Sequence, residues 1–231
     1  MPHDADPALT YSSYLALDEL LGAQRPVSDE HDELLFIVVH QVYELWFKQL
    51  LHEIRFLQGC LERGDTAHAL STARRVLTIL KTVVAQIDVL ETMTPRQFTS
   101  FRSRLAAASG FQSSQFRELE VVLGARPGDG QARTVFESLL TYLGTQGYDT
   151  SGEVQPMLVR VYEDDGAAAQ VCERLVDLDE GMQEWRYRHV KMVERTIGDK
   201  RGTGGSSGAE YLRSTLLRPV FPDLWAIRSQ L

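Results

Sequence analysis

The sequence lacks several features that mark large protein classes. Its 231 residues include 2 cysteines, Cys60 and Cys172, which lie far apart and form no C-x-x-C pair. That spacing argues against a disulfide-stapled secreted domain and is typical of a reducing cytosol. Positive charge is also scarce, because 24 Lys and Arg face 32 Asp and Glu for a net charge of −8. Phosphate binding needs a concentrated positive field, so we expect no nucleic acid partner.

Long apolar runs are missing as well. The longest uninterrupted run covers residues 34–39, far short of the roughly 20 residues of a membrane-spanning helix. Residues 1–10 are acidic and lack the basic-then-apolar order of a secretory signal. We therefore expect a cytoplasmic protein with no membrane partner.

Alternating strand patterns of useful length are absent too, and apolar residues instead recur at helical spacing. The sequence thus predicts an all-α fold, a helical bundle in one domain over residues 1–231. Ser28 or Asp29 is the expected cap of the first long helix, and Thr94 with Pro95 opens a short one. In the first long helix apolar side chains occur at nearly every angle, so we expect it to be surrounded. The predicted helices cover residues 29–61, 66–91, a short segment from 95, 113–123, 131–143, 153–162, 167–197 and 209–217, with a last one begun by Pro222.

Two histidines fall on apolar helix faces. His40 lies in the most apolar helix, with Phe36 one turn before it, and His189 lies on the seam of the helix over residues 167–197. Apolar surroundings disfavour the imidazolium, and a neutral ring can accept an indole N–H or bind haem iron. Spacing alone leaves open the alternative that both are packed core histidines. Since no C-x-x-C-H occurs, any haem would be held without thioether links.

Other site motifs are incomplete. His31, His40 and His52 do not share a helical face at i, i+4 spacing, which argues against zinc, and we expect His31 and His52 on the surface. The loop over residues 201–208 matches no phosphate-binding motif and is expected to be a lid or a linker.

Arg102 shares a helix face with the aromatic Phe98, an unusual place for a solvated charge. Its planar fork could clamp a carboxylate in a dry site, or it could pair with a structural glutamate. Spacing does not decide between these two roles.

Several long blocks, taken together and in order, resemble the tryptophan 2,3-dioxygenase family. The resemblance covers most of the chain and is more specific than any short motif. Its blocks are HDELLFIVVHQVYELWFKQLLHE (residues 31–53), LETMTPRQFTSFR (90–102), SGFQSSQFRELE (109–120), WRYRHV (185–190) and GDKRGTGGSSGAEYLRST (198–215).

The resemblance implies an all-helical oxygenase that binds haem b, active with Fe2+. By this resemblance His189 is the axial ligand of the haem iron, and Ser109 and Gly110 lie against the haem and the substrate edge. It also implies a homotetramer, in which residues 1–27 of one subunit help to close a neighbour's pocket. Tyr11, Tyr14 and Leu15 would be that contribution from the adjacent chain.

The same resemblance assigns the substrate contacts. His40 would face the indole N–H, Phe36 would pack on the substrate or haem, and Phe98 would be the substrate-contacting aromatic. Arg102 would grip the amino acid's carboxylate, and Thr203 would meet its ammonium and carboxylate as the loop closes. The implied reaction opens the C2–C3 bond of the indole ring of L-tryptophan with O2 and gives N-formylkynurenine.

Two departures from the family pattern keep an alternative open. The stretch between about residues 123 and 152 looks shortened, and Ala107 and Ala209 stand where a proline and a bulkier residue are expected near the pocket. The alternative is a haem-dependent monooxygenase or dioxygenase of a modified tryptophan in secondary metabolism, for instance one that makes an oxindole. A haem sensor without turnover is disfavoured, because it would need no amino-acid grip of the kind that His40, Arg102 and Thr203 form together.

Overall fold

The computed structural model describes residues 8–106, 108–128, 133–200, 202 and 209–231. Within these ranges the regular secondary structure is helical and contains no strand, which confirms the predicted all-α fold. Short 3-10 helices follow at Ser103–Leu105, Gly110–Gln112 and Ile227–Gln230. The α-helices are α1 (Tyr11–Tyr14), α2 (Leu17–Leu21), α3 (His31–Glu62), α4 (Thr66–Glu91), α5 (Pro95–Arg102), α6 (Ser114–Leu123), α7 (Val135–Thr145), α8 (Val154–Glu163), α9 (Ala167–Ile197), α10 (Ala209–Arg213) and α11 (Pro222–Ala226).

Three long helices, α3, α4 and α9, form the centre of the bundle. α4 packs along both α3 and α9, and the leucines and isoleucines at these contacts are buried. Gly181 of α9 lies so close to α4 that an added Cβ would sit 2.7 Å from Leu80 Cδ2. α3 and α9 thus flank α4, and side chains from both can meet in the space beside it.

Five of the described α-helices, α1, α4, α5, α6 and α7, begin with a side-chain N-cap. Thr94 caps α5 in a capping box with Gln97, and Pro95 occupies its first turn, as predicted. α7 begins at Val135 and not at residue 131, because Thr134 and Glu137 form a capping box there. Residues 131 and 132 lie outside the described ranges, and α10 ends at Arg213, short of the predicted residue 217.

The start of α3 differs from the prediction that Ser28 or Asp29 caps it. Glu30 is the N-cap and makes no side-chain cap bond. The buried Glu33 carboxylate instead reaches back and accepts the N–H groups of Val27 at 2.7 Å and Ser28 at 2.8 Å, together with the Ser28 hydroxyl. This contact fixes the chain that enters α3.

The outer face of α3 is left uncovered by the part of the chain that the structure describes. Leu34 and Leu45 are 50% and 49% exposed, so the prediction of a fully surrounded helix is wrong for the single chain. The short helices α1 and α2 contain no buried residue. Isolated helices of this length are unstable in water, so these segments need a surface to rest on.

α3 is the one helix among the described residues that is long and apolar enough to cross a membrane. Its most apolar 18-residue window has a mean hydropathy of 1.2. A single helix of this kind is weak evidence, because the core helix of a soluble protein passes the same test, and α3 packs along α4, α6 and α7.

Candidate active site

A cavity of about 290 Å³ lies between α3 and α9. α5, the turn before α6, α6 itself and the segment after α10 complete its walls. The lining is rich in aromatic side chains. It contains seven residues predicted for the site: Phe36, His40, Phe98, Arg102, Ser109, Gly110 and, from α9, His189.

His40 projects into the cavity from α3. Its Nδ1 lies 2.7 Å from the backbone carbonyl oxygen of Phe36, and because a carbonyl only accepts, Nδ1 carries the proton. Nε2 is then an unprotonated acceptor. Burial lowers the pKa of His40, against the opposing effects of the Phe36 carbonyl and the Glu44 carboxylate, so the neutral ring is favoured.

Aromatic rings hold His40 in place. The Phe36 ring centroid is 4.1 Å from that of His40, and Phe36 also contacts Phe98 at 5.6 Å and Phe101 at 5.7 Å. Phe98 and Phe101 are buried on the inner face of α5. This cluster leaves a dry, flat-walled space beside the acceptor nitrogen, which is suited to an aromatic ring.

His189 faces the cavity from α9. Burial, with a smaller effect of His40, lowers its pKa to about 4, so at neutral pH its ring is uncharged and able to bind a metal. The Trp185 ring lies parallel to it, with centroids 5.0 Å apart, and Phe116 packs on Trp185 at 4.8 Å. The buried Trp185 Nε1 has no hydrogen-bond partner among the described residues.

Arg102 lies half-buried at the end of α5 and lines the cavity, so the structure brings it to the site together with Phe98. Ser109 and Gly110 lie across from it in the turn before α6, where Ser109 Oγ accepts the N–H of Phe111. Apart from its chain neighbours, no atom of the described residues lies within 4 Å of the position that a Cβ on Gly110 would take.

One end of the cavity carries charges that the sequence patterns did not single out. Arg117, Glu120 and Arg126 from α6 and the loop after it line this end, as does Arg186 of α9. Glu120 pairs with Arg126 at 3.7 Å, and burial raises the pKa of Glu120. Only the helical placement of Arg117 and Glu120 on one face, at i and i+3, could have suggested this cluster.

Other predicted residues lie elsewhere. Tyr11 and Tyr14 are 75% and 71% exposed, Leu15 is also exposed, and none of the three lines the cavity. Thr203 and Ala107 lie outside the described residues, and Ala209 is buried without lining the cavity. His31 and His52 are exposed, as predicted.

Comparison with known proteins decides the family. The model of the tryptophan 2,3-dioxygenase family matches residues 2–146 and 131–231, which together span nearly the whole chain. The chain belongs to the tryptophan 2,3-dioxygenase family.

Individual tryptophan 2,3-dioxygenases are similar to this chain over nearly their whole length. The protein from Anaeromyxobacter dehalogenans is 64% identical, and the alignment covers 100% of this chain and 99% of the relative. The protein from Herpetosiphon aurantiacus is 54% identical over 97% of this chain and 99% of the relative. The protein from Caulobacter vibrioides is 41% identical over 96% of this chain and 98% of the relative.

This tryptophan 2,3-dioxygenase family member is shorter than those relatives. The Anaeromyxobacter dehalogenans alignment runs over 262 positions against 231 residues here, so at least 31 positions have no residue in this chain. The two family matches overlap at residues 131–146, which supports a shortened stretch between residues 123 and 152. The link between α6 and α7 runs from Gly124 to Thr134. These two residues are in contact, because a Cβ on Gly124 would lie 3.8 Å from Thr134 Cγ2. The length of the link can therefore change without moving either helix.

Tryptophan 2,3-dioxygenases are haem-dependent oxidoreductases, and the cavity residues fit that cofactor. His189 offers a neutral imidazole from a rigid helix, aromatic rings surround it, and the arginines at the charged end suit carboxylates.

Proposed function

We propose that this protein is a haem-dependent dioxygenase that opens the indole C2–C3 bond of L-tryptophan with O2 to give N-formylkynurenine. The observation that carries the proposal is the pair of neutral histidines in one aromatic cavity. His40 presents an acceptor nitrogen from α3, and His189 presents a metal-binding imidazole from α9.

His189 would hold the iron of haem b, and Arg117 and Arg126 would hold its two carboxylates at the charged end of the cavity. The bound haem, in its Fe2+ form, supplies the activation of O2. The aromatic wall of Trp185 and Phe116 excludes water and lowers the local dielectric around the imidazole.

The chain's own residues orient the substrate. Nε2 of His40 would accept the indole N–H, and the Phe36 and Phe98 rings, which contact each other, would pack against the indole from one side. Arg102 would bind the carboxylate with its planar fork, Ser109 and Gly110 would contact the substrate edge, and Thr203 would meet its ammonium and carboxylate. The substrate would thus be held at its indole ring and at its amino-acid group. A fixed orientation of the indole lowers the entropic part of the activation barrier.

Oxygen and electron stoichiometry tests this proposal. Dioxygenation consumes one O2 per tryptophan and returns the iron in the state in which it began, so the reduced protein should turn over with no further reductant. An oxygen electrode combined with quantification of the product measures this ratio. Turnover that stops unless two electrons are supplied per tryptophan would contradict dioxygenation.

Such electron demand would favour the second candidate, a monooxygenase that inserts one oxygen into a modified tryptophan to give an oxindole. A dioxygenase that acts only on a modified tryptophan belongs to the same alternative. The shortened link between α6 and α7 is the observation that supports both, because Glu120 in the last turns of α6 and Arg126 in the link itself line the cavity.

For assembly, we propose a cytoplasmic homotetramer in which residues 1–27 of one subunit cover a neighbour. The support is the apolar surface of α1, α2 and the outer face of α3, which the single chain leaves exposed. Tyr11, Tyr14 and Leu15 would then reach the adjacent subunit's cavity.

A further inference from the structure

The described part of the chain after the glycine-rich loop runs back along α9, antiparallel to it. Three sets of polar contacts fasten it at successive levels of the helix. At the loop end, Arg213 Nε lies 2.7 Å from Glu194 Oε1. At the far end, the buried Asp179 carboxylate accepts hydrogen bonds from Val220 N, Phe221 N and Trp225 Nε1 at 2.8, 2.8 and 2.9 Å.

Arg186 forms the middle contact. Its Nη1 donates to the carbonyl oxygen of Arg218 at 2.8 Å and to that of Thr215 at 3.5 Å. The Arg186 side chain is buried, and the charges of Glu120 and Asp179 stabilise it there. This contact differs from the other two because Arg186 itself lines the cavity.

The segment whose carbonyl groups Arg186 binds is also part of the cavity wall. Leu212 and Thr215 line the cavity, and two hydrogen bonds to Leu212 O, from Thr215 N at 3.1 Å and from Thr215 Oγ1 at 2.8 Å, make them one turn. Movement of the carbonyls at 215 and 218 would therefore move this wall.

We propose that Arg186 is a positioning residue for the substrate, which acts by fixing the turn at Leu212–Thr215 against α9. The inference rests on the proposed turnover of tryptophan. It assigns Arg186 no contact with the reacting atoms.

Arg228 provides a matched control. It too tethers the C-terminal segment to the helical body with two hydrogen bonds, from Nη2 to Glu173 Oε1 at 2.7 Å and to Tyr162 Oη at 3.0 Å. It does not line the cavity. Arg186→Met and Arg228→Met therefore remove similar tethers, only one of which supports the cavity wall.

The experiment compares both variants with the wild-type holoenzyme in kcat, KM for L-tryptophan, haem absorption spectrum and Tm. We expect Arg186→Met to raise KM about tenfold, the loss expected when charge-assisted hydrogen bonds disappear, with kcat changed much less. Arg186→Lys keeps the charge and one donor and should recover part of that loss. Arg228→Met should lower Tm and leave KM within about twofold.

Equal KM changes in the two methionine variants, or a KM for Arg186→Met within about twofold of wild type, would overturn the inference. If Arg186→Met does not fold, an Arg186→Lys protein with wild-type KM and a lowered Tm overturns it in the same way. Failure of the wild-type protein to turn over tryptophan refutes the proposed function and is distinguished from these outcomes.

Discussion

At the residue scale, the tautomer of His40 is set by a single backbone contact. The carbonyl of Phe36 accepts a hydrogen bond from the protonated Nδ1, which leaves Nε2 as an acceptor. Because this carbonyl belongs to the same helix, one turn away, no other element is needed to prepare the ring. The site therefore offers an indole N–H a fixed acceptor without a base of high pKa.

His40→Ala should slow turnover about fivefold, because a neutral hydrogen bond of roughly 1 kcal/mol is lost. Haem content should stay unchanged, since His189 lies on the opposite helix. Steady-state kcat and the haem absorption of the purified variant measure both effects. His31→Ala, an exposed histidine of the same helix, is the control and should behave as wild type. Loss of haem in the His40 variant, or wild-type turnover, would show that His40 has another role.

The sequence singled out several residues that the structure brings to one cavity, and it missed the charged end of that cavity. His40, His189 and Arg102 lie in long blocks that resemble the family, so the sequence alone indicates that they belong to the site. Glu120, Arg126 and Arg186 meet only because α6, its following loop and α9 converge, and no local spacing encodes that convergence.

At the element scale, helix boundaries were predictable where a single local signal acts. α9 begins and ends where the pattern placed it, and Thr94 with Pro95 opens α5. α3 begins differently because Glu33, inside the helix, reaches back to two N–H groups ahead of it. The prediction assumed that a side chain just before the helix accepts an N–H group of its first turn. Here a side chain inside the helix accepts N–H groups that lie before it.

This contact predicts a pH dependence. Burial tends to raise the pKa of Glu33, but the hydrogen bonds from Ser28 and Val27 outweigh it and lower the pKa below its usual 4.5. A carboxyl whose pKa is lowered in the folded state stabilises the fold above pH 4.5, and this stabilisation is lost as pH falls through the folded pKa.

Glu33→Gln should lower Tm by roughly 5 °C at pH 7, because hydrogen bonds to a charged acceptor become neutral ones. The difference from wild type should shrink as pH falls toward 4, which thermal unfolding across pH measures. Glu30→Gln is the matched control, since Glu30 is exposed and makes no cap bond. A Tm difference for Glu33→Gln that is constant from pH 7 to pH 4 would contradict the account.

At the scale of the whole molecule, the fold buries its core well and leaves its N-terminal helices uncovered. Leu34 and Val38 on the outer face of α3 remain exposed. The sequence could not reveal which apolar residues stay exposed. Apolar residues covered by a partner subunit and those covered by their own chain recur with the same helical spacing.

A double variant, Tyr11→Ser with Tyr14→Ser, tests the role of that surface. We expect weaker assembly in light scattering and a higher KM for tryptophan, because these side chains would complete a neighbour's cavity. α3 and the haem spectrum should be preserved, since neither tyrosine is buried in its own chain. A wild-type protein that is monomeric, or a double variant with unchanged assembly and KM, would contradict the proposed exchange.

The mass of the product formed from L-tryptophan and 18O2 tests the central claim most directly. The protein is reconstituted with haem, reduced, mixed with tryptophan under 18O2, and the product is analysed by mass spectrometry. The account predicts N-formylkynurenine that carries two labelled oxygen atoms. A product with one added oxygen, or no product from tryptophan despite a histidine-ligated haem spectrum, would contradict it and direct the search to modified tryptophans.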